Sequence, residues 1–271
     1  MLDTDVRIAD SLQQLREKKP LVHHMTNFVV MNDCANITLH IGGSPVMAHA
    51  PEEVEEMVGL ADSLVLNIGT LTTELVEAMV SAGRAANKKG IPVLLDPVGV
   101  GATAMRTAAA KQLLSQVKVG IVKGNAGEVS VLAGVEASVR GVDSAGTAGS
   151  LPDVAQKLAC LYDCTVIITG PVDWVSDGKR TCSVYNGHSL MGAITGTGCM
   201  AGSLVAAFAG TVADPMLAAL AGLACFGVAG ELAAHTEVKP ASFKRALLDE
   251  VFALTGEKIK KMVRLGPECT S

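Results

Sequence analysis

No cluster of lysines and arginines interrupts the 271 residues, and a formal net charge of −5 leaves no basic footprint. Nucleic acid and anionic membrane surfaces, which such clusters hold, are therefore excluded as principal partners. A phosphate-bearing ligand would have to be met locally, by a metal and by backbone amides. Also missing is a charged n-region followed by an apolar h-region at the start of the sequence, so the expectation is a cytoplasmic chain whose seven cysteines stay reduced. On that expectation no disulfide forms, and Cys34, Cys160, Cys164, Cys182, Cys225 and Cys269 read as core thiols. Cys160 and Cys164 are four apart, but no histidine or second cysteine pair follows at zinc-site spacing. The longest uncharged stretch, residues 215–230, stops at Glu231, short of the roughly 20 apolar residues that a bilayer crossing requires. Its many alanines and glycines suit a closely packed, buried helix. Internal repeats and low-complexity segments are absent.

What is present points to one large α/β domain. Half of the residues are apolar, enough for a deep core at this length. Short apolar runs at 44–47, 63–67, 92–95, 120–122 and 165–169 read as buried strands, and longer amphipathic segments separate them. That alternation predicts a mostly parallel sheet. Residues 51–59 predict a helix with Pro51 in its first turn and glutamates at its positive end, and 72–89 predict another. After Thr169 the pattern changes. Residues 172–176 and 180–185 flank Asp177-Gly178, a dipeptide suited to the positive φ angles of a tight hairpin, so the sheet should end in antiparallel strands. From Cys199 onward the pattern is helical, with a final helix over about 241–264. The Gly/Ser-rich stretch 141–151 reads as a loop between helices, not a domain boundary.

Three places carry chemistry. In Thr195-Gly196-Thr197-Gly198-Cys199 a glycine-rich turn runs directly into a helix. The free amides and partial positive charge of a helix start would suit an anion, making Gly196, Thr197 and Gly198 an anion hole. A thiol in that first turn is expected to have its pKa lowered, so that Cys199 could act as a base near neutrality. In Lys123-Gly124-Asn125-Ala126-Gly127-Glu128, Asn125 and Glu128 are three apart on one face of a starting helix. They can reach one metal-phosphate group, or they can cap the helix reciprocally; both readings stand at this point. Asp96 ends a predicted strand, at the sheet edge where open α/β proteins bind ligands, or it is a loop aspartate that caps the next helix.

At these residues the sequence resembles the ribokinase-like superfamily, which shares an Asn-x-x-Glu element and a Gly-x-Gly turn opening a helix with the catalytic base behind it. The base position here is Cys199, and a Gly-Thr-Gly-Cys turn is similar to that of hydroxyethylthiazole kinases. Residues 22–30 and 42–47 also look like that family's substrate-side segments, so the resemblance spans nearly the whole chain. It implies a three-layer α/β/α sandwich with a mostly parallel central sheet, antiparallel strands at one edge and no separate lid domain. The implied reaction is ATP-dependent phosphorylation of the hydroxyl of 4-methyl-5-(2-hydroxyethyl)thiazole in thiamin salvage. Residue by residue, it puts Met47, Gly196 and Asn27 at the thiazole, and Lys123, Thr169 and Asn125 around ATP. Asp96 and Glu128 would hold Mg²⁺, and Cys199 would be the base. A homotrimer whose thiazole pocket is completed by a neighbouring subunit is implied as well. Two alternatives share the fold: a vitamin kinase acting on hydroxymethylpyrimidine or pyridoxal, and an ATP-dependent dehydratase of hydrated nicotinamide cofactors.

Overall fold

The computed structural model describes residues 3–135 and 150–270. Among them, eight strands form one sheet: β1 (Leu21–Met25), β2 (Ser44–Val46), β3 (Ser63–Asn67), β4 (Val93–Asp96), β5 (Ile121–Asn125), β6 (Thr165–Thr169), β7 (Asp173–Ser176) and β8 (Thr181–Val184). Their spatial order is β2-β1-β3-β4-β5-β6-β7-β8. Pairs from β2 through β6 are parallel, and β6–β7 and β7–β8 are antiparallel.

The period-2 geometry of a strand, applied to runs that are apolar at every position, builds the three layers. Val65, Leu94, Ile121 and Ile167 point into one core, with α1 (Thr4–Lys18), α2 (Met31–Ile41), α8 (Thr197–Ala209), α9 (Pro215–Thr236), α10 (Pro240–Phe252) and α11 (Gly256–Met262). Their neighbours Leu64, Leu66, Val93, Leu95, Val122, Val166 and Ile168 point into the other. That side is covered by α3 (Val54–Leu60), α4 (Thr73–Lys89), α5 (Ala104–Gln116), α6 (Ala126–Leu132) and α7 (Leu151–Tyr162). The chain steps from β1 outward to β2 and then back past β1 to β3, so the strand order reverses there. Ligand crevices of open α/β sheets form at such a switch point, beyond the carboxyl ends of the strands.

Several expectations need correction. Strand β1 escaped the sequence reading because two histidines occupy its middle; both are fully buried, His23 Nε2 lying 2.7 Å from the Ala48 carbonyl and His24 Nε2 3.3 Å from Thr38 Oγ1. The helix expected from Pro51 starts at Val54, residues 51–53 forming a turn. In the β7–β8 hairpin only Gly178 has positive φ. Asp177 closes the turn differently, its Oδ1 accepting from the amides of Lys179 (2.9 Å) and Arg180 (2.7 Å). The expected final helix is two, because Thr255 starts α11 afresh by accepting from the Lys258 amide. Of the stretch 141–151, residues 141–149 lie outside the described residues, and Leu151 begins α7.

Helix α9 continues past Glu231 and, at 22 residues, is long and apolar enough to cross a membrane by length and composition; 83% of that apolar window is buried inside the fold. The expectation of reduced cysteines also fails: Cys182 and Cys269 are joined in a disulfide. The chain beyond α11 lies along β8, Tyr185 N donating to Arg264 O and Gly266 N to Ser183 O, which brings the two cysteine Cα atoms to 4.8 Å. Cys34, Cys164 and Cys225 are buried thiols as expected, whereas Cys160 is exposed.

Candidate active site

Strand register gathers the site. Asn67 pairs with Asp96 across β3–β4, and Asn125 with Thr169 across β5–β6, so the last residues of four parallel strands share one edge. Asn27 follows the end of β1 at the switch point, where its Nδ2 donates to Asn67 Oδ1 at 2.9 Å. Asn67 Nδ2 in turn donates to Asp96 Oδ2 (2.9 Å) and to Cys199 Sγ (3.2 Å), and Asn27 Nδ2 reaches the same sulfur at 3.5 Å. Lys123, in the middle of β5, is buried with its ammonium donating to Asp96 Oδ2 (3.1 Å) and to the Gly198 carbonyl (2.9 Å). The sheet edge is thereby pinned to the first turn of α8.

That first turn has the form the glycines predict. Gly196 stands at the N-cap with φ 91°, a left-handed conformation that opens the turn, and the amides of Thr197, Gly198 and Cys199 have no helical carbonyl to bond. The Thr197 hydroxyl is engaged elsewhere, donating to the Met191 carbonyl at 3.0 Å, which leaves the residue's amide as its free donor at the turn. Two cavities flank the turn and share Thr169 and Gly198. One of about 380 Å³ is lined by Asn27, Gly69, Asp96, Lys123, Glu128 and Cys199, among others. The other, about 520 Å³, lies between Asp173, the 186–192 segment and α9.

Electrostatics overturn the expectation for Cys199. Burial raises the pKa of its thiol above the ordinary value and the Asp96 carboxylate raises it further, while Lys123, Asn67 and Asn27 only partly offset them. The helix-start argument assumed an accessible thiol; here the sulfur lies in the wall, so at neutral pH it is protonated. Burial also pushes the Asp96 carboxyl up, with Lys123 pulling against it. Lys123 loses to burial but gains more from the Asp96 carboxylate that it contacts, and its pKa lies above lysine's ordinary value.

Asn125 and Glu128 form a capping box: Asn125 Oδ1 accepts from the Glu128 amide (3.0 Å) and Glu128 Oε2 from the Asn125 amide (2.8 Å). Glu128 Oε1 also accepts from the Gly99 amide at 2.8 Å, tying the loop after β4 to α6. Both readings of this pair thus meet in one place, since Asn125 and Glu128 also line the smaller cavity. For Mg²⁺, the decisive atom is Asp96 Oδ1, which is buried and has no hydrogen-bond partner. One free carboxylate oxygen beside a second carboxylate with spare lone pairs fits a cation that keeps several waters and takes its other ligands from a nucleotide.

Met47 is not brought to either cavity: it follows the edge strand β2, half-buried. Sequence reasoning missed Asn67, the residue that touches Asn27, Asp96 and Cys199 together. It also missed Arg106 of α5, which donates to the carbonyls of Ile68 (2.9 Å), Val98 (2.7 Å) and Gly69 (2.9 Å) and so fixes both loops behind the site.

Comparison with known proteins adds the family. Residues 12–257 match the profile of the hydroxyethylthiazole kinase family. A hydroxyethylthiazole kinase of Thermoanaerobacter pseudethanolicus is 54% identical over 252 residues, covering 92% of this chain and 96% of the relative. The structure of hydroxyethylthiazole kinase from Pyrococcus horikoshii superposes with a TM-score of 0.89 at 43% identity, covering 96% of this chain and 98% of that one. Pyridoxal kinase from Staphylococcus aureus, in complex with AMP-PCP, shares the fold alone, with a TM-score of 0.59 and 14% identity over 79% of this chain and 88% of its own.

Proposed function

The chain belongs to the hydroxyethylthiazole kinase family, and from that premise we propose how its residues divide the work of phosphorylating the hydroxyl of 4-methyl-5-(2-hydroxyethyl)thiazole, the reaction of that family in thiamin salvage. The observation that carries the division is the docking of the α8 first turn onto the buried Asp96–Lys123 pair, with one cavity on each side. ATP occupies the 520 Å³ cavity with its γ-phosphate at the amides of Thr197, Gly198 and Cys199, beside Thr169. The thiazole alcohol enters the 380 Å³ cavity past Asn27 and Gly196. Asp96 and Glu128, in the smaller cavity where it meets the larger one at Gly198 and Thr169, would hold Mg²⁺, which would supply charge neutralisation to the phosphates.

Transfer forms a bond from the alcohol oxygen to the γ-phosphorus as the bond to the β-phosphate oxygen breaks, and the alcohol proton passes to an oxygen of the transferred phosphate. Phosphoryl transfer passes through a loose transition state, so positioning and charge stabilisation outweigh the base. The chain supplies these through the fixed amides of α8 and the Lys123 ammonium behind them. Cys199, protonated at neutral pH, orients the alcohol with Asn27 and Asn67 and takes no proton at rest. Asn125 serves ATP through the α6 cap that it builds with Glu128.

Phe28 and Val29 are 67% and 64% exposed immediately beside Asn27 and Val30, which line the smaller cavity. Such an apolar lip supports a homotrimer in which a neighbour covers the thiazole and excludes water, with Met47 contributed across the interface. One ribokinase-like domain, acting in the cytoplasm where ATP is supplied, completes the reading. Mass spectrometry of products tests it: the thiazole should gain phosphate from Mg-ATP, and hydroxymethylpyrimidine and pyridoxal should not. Efficient phosphorylation of either, or ATP consumption only with a hydrated nicotinamide cofactor, would replace the substrate.

A further inference from the structure

The wall of the larger cavity facing α9 is the segment 186–189, and its conformation is set from behind. Asn186 is buried, yet its side chain turns into the protein: Nδ2 donates to Met262 O (2.8 Å) and Glu231 Oε1 (3.1 Å), and Oδ1 accepts from the Arg264 amide (2.7 Å). The next residue, Gly187, has φ 142° and donates its amide to the same Glu231 Oε1 at 2.9 Å. Glu231 is paired in a two-pronged contact with Arg264, whose guanidinium donates to Oε1 (2.7 Å) and Oε2 (2.9 Å) and also to Tyr185 O (3.0 Å). One carboxylate on α9 thus collects four donors, two of them from consecutive residues of the cavity wall. The Glu231 side chain is 13% exposed, and a charge held there requires all its partners. Gly227, one turn earlier on α9, lets the wall press close: a Cβ there would stand 2.6 Å from the Asn186 carbonyl carbon.

We infer that Glu231, with Arg264, is a positioning residue for the nucleotide: it fixes the Asn186–Gly187 wall of the cavity, although it does not line that cavity itself. The inference rests on the placement of ATP in the 520 Å³ cavity. Arg264 lies beyond the family-matched residues 12–257, on the segment that runs along β8. The wall's shape is therefore set by this chain's C-terminal segment as well as by its core.

The test is steady-state kinetics with ATP and thiazole varied separately, on the full-length protein and on Glu231→Gln, Arg264→Lys and Gly192→Trp. Glu231→Gln keeps the size and one acceptor oxygen but loses the charge, and is expected to raise KM for ATP roughly tenfold, the loss of one charge-assisted contact. KM for the thiazole and kcat at saturating ATP should stay within about twofold, a split that general loosening of the fold would not produce. Arg264 is half exposed, so Arg264→Lys carries the test if Glu231→Gln does not fold, and the same split is required of it. Equal rises in both KM values, or none for ATP, would overturn the inference. Gly192 lines the same cavity and an added Cβ there meets nothing within 4 Å, so the tryptophan probes the placement of ATP directly. Weakened ATP binding in Gly192→Trp beside an unaffected Glu231→Gln refutes the positioning role alone. Unchanged ATP binding in Gly192→Trp refutes the nucleotide placement beneath it.

Discussion

Cys199 shows how far a residue's role depends on what surrounds it. A base contributes roughly 10²–10⁴ in rate, but a thiol whose pKa burial and Asp96 hold above its ordinary value is not ionised at pH 7. Cys199→Ala should therefore cost only about tenfold in kcat/KM and leave the shape of the pH–rate profile between pH 6 and 8 unchanged; a loss beyond a thousandfold would restore the base. Asp96 and Lys123 behave oppositely. Lys123→Met leaves a buried carboxylate unpaired, and thermal or denaturant unfolding should show a loss of about 3–5 kcal/mol along with activity. His24 provides a pH test of the fold. Burial lowers its pKa to about 3, so between the unfolded value near 6.5 and about 3 the unfolded chain binds the extra proton. Stability should fall as pH drops through that window, and melting curves of His24→Asn should show a shallower acid limb. Asp96, Lys123 and Glu128 could be singled out in the sequence because Asp96 ends an apolar run and the other two belong to the Lys-Gly-Asn-Ala-Gly-Glu segment. Asn67 could not, since its partners come from register with β4 and from α8, 132 residues away for Cys199.

At the scale of elements, local chemistry was read well wherever it closes within a few residues. The Asn-x-x-Glu signature gave the start of α6, and Gly-x-Gly the start of α8, because caps are made by neighbours in sequence. Where an element depends on distant packing, the reading slipped: β1 carries histidines whose partners lie on α2 and beyond β2, and the Cys182–Cys269 pair exists because the terminal segment lies along β8. The Gly196 turn is the element on whose geometry the proposed phosphate site depends most directly. A Cβ there would stand 2.7 Å from Val30 Cγ1 at a φ of 91° that side chains resist. Gly196→Ala should consequently shift the first turn of α8 and reduce kcat/KM at least tenfold, while circular dichroism still reports a folded protein. Full activity in that variant would mean that the amides of 197–199 do not meet the transferred phosphoryl group.

On the scale of the whole molecule, a sheet buried on both faces leaves its edges as the parts that require an explanation. One edge ends in the β7–β8 hairpin and is lined by the terminal segment along β8. The other is β2, three residues long and half-buried throughout, with Met47 and His49 just beyond it. The Phe28 ring lies 6.5 Å from the His49 ring, so the loop after β1 and the loop after β2 meet at one apolar lip beside the smaller cavity. A thiazole in that cavity would be open to water on this side unless another chain covers it, and water at a γ-phosphate competes with the alcohol. Phe28→Asp puts a charge on the lip while keeping the backbone amide that donates to Thr70 Oγ1. Light scattering should show wild type at the mass of three chains and the variant at one. The variant's KM for thiazole should rise by tenfold or more, with KM for ATP within about twofold, because Phe28 and its neighbours do not line the larger cavity. ATP turnover without phosphorylated thiazole should increase in the same variant, as the uncovered γ-phosphate becomes accessible to water. A monomeric wild-type protein that still phosphorylates the thiazole efficiently would show that the lip has no covering role, and the loops after β1 and β2 would then have to exclude water by themselves.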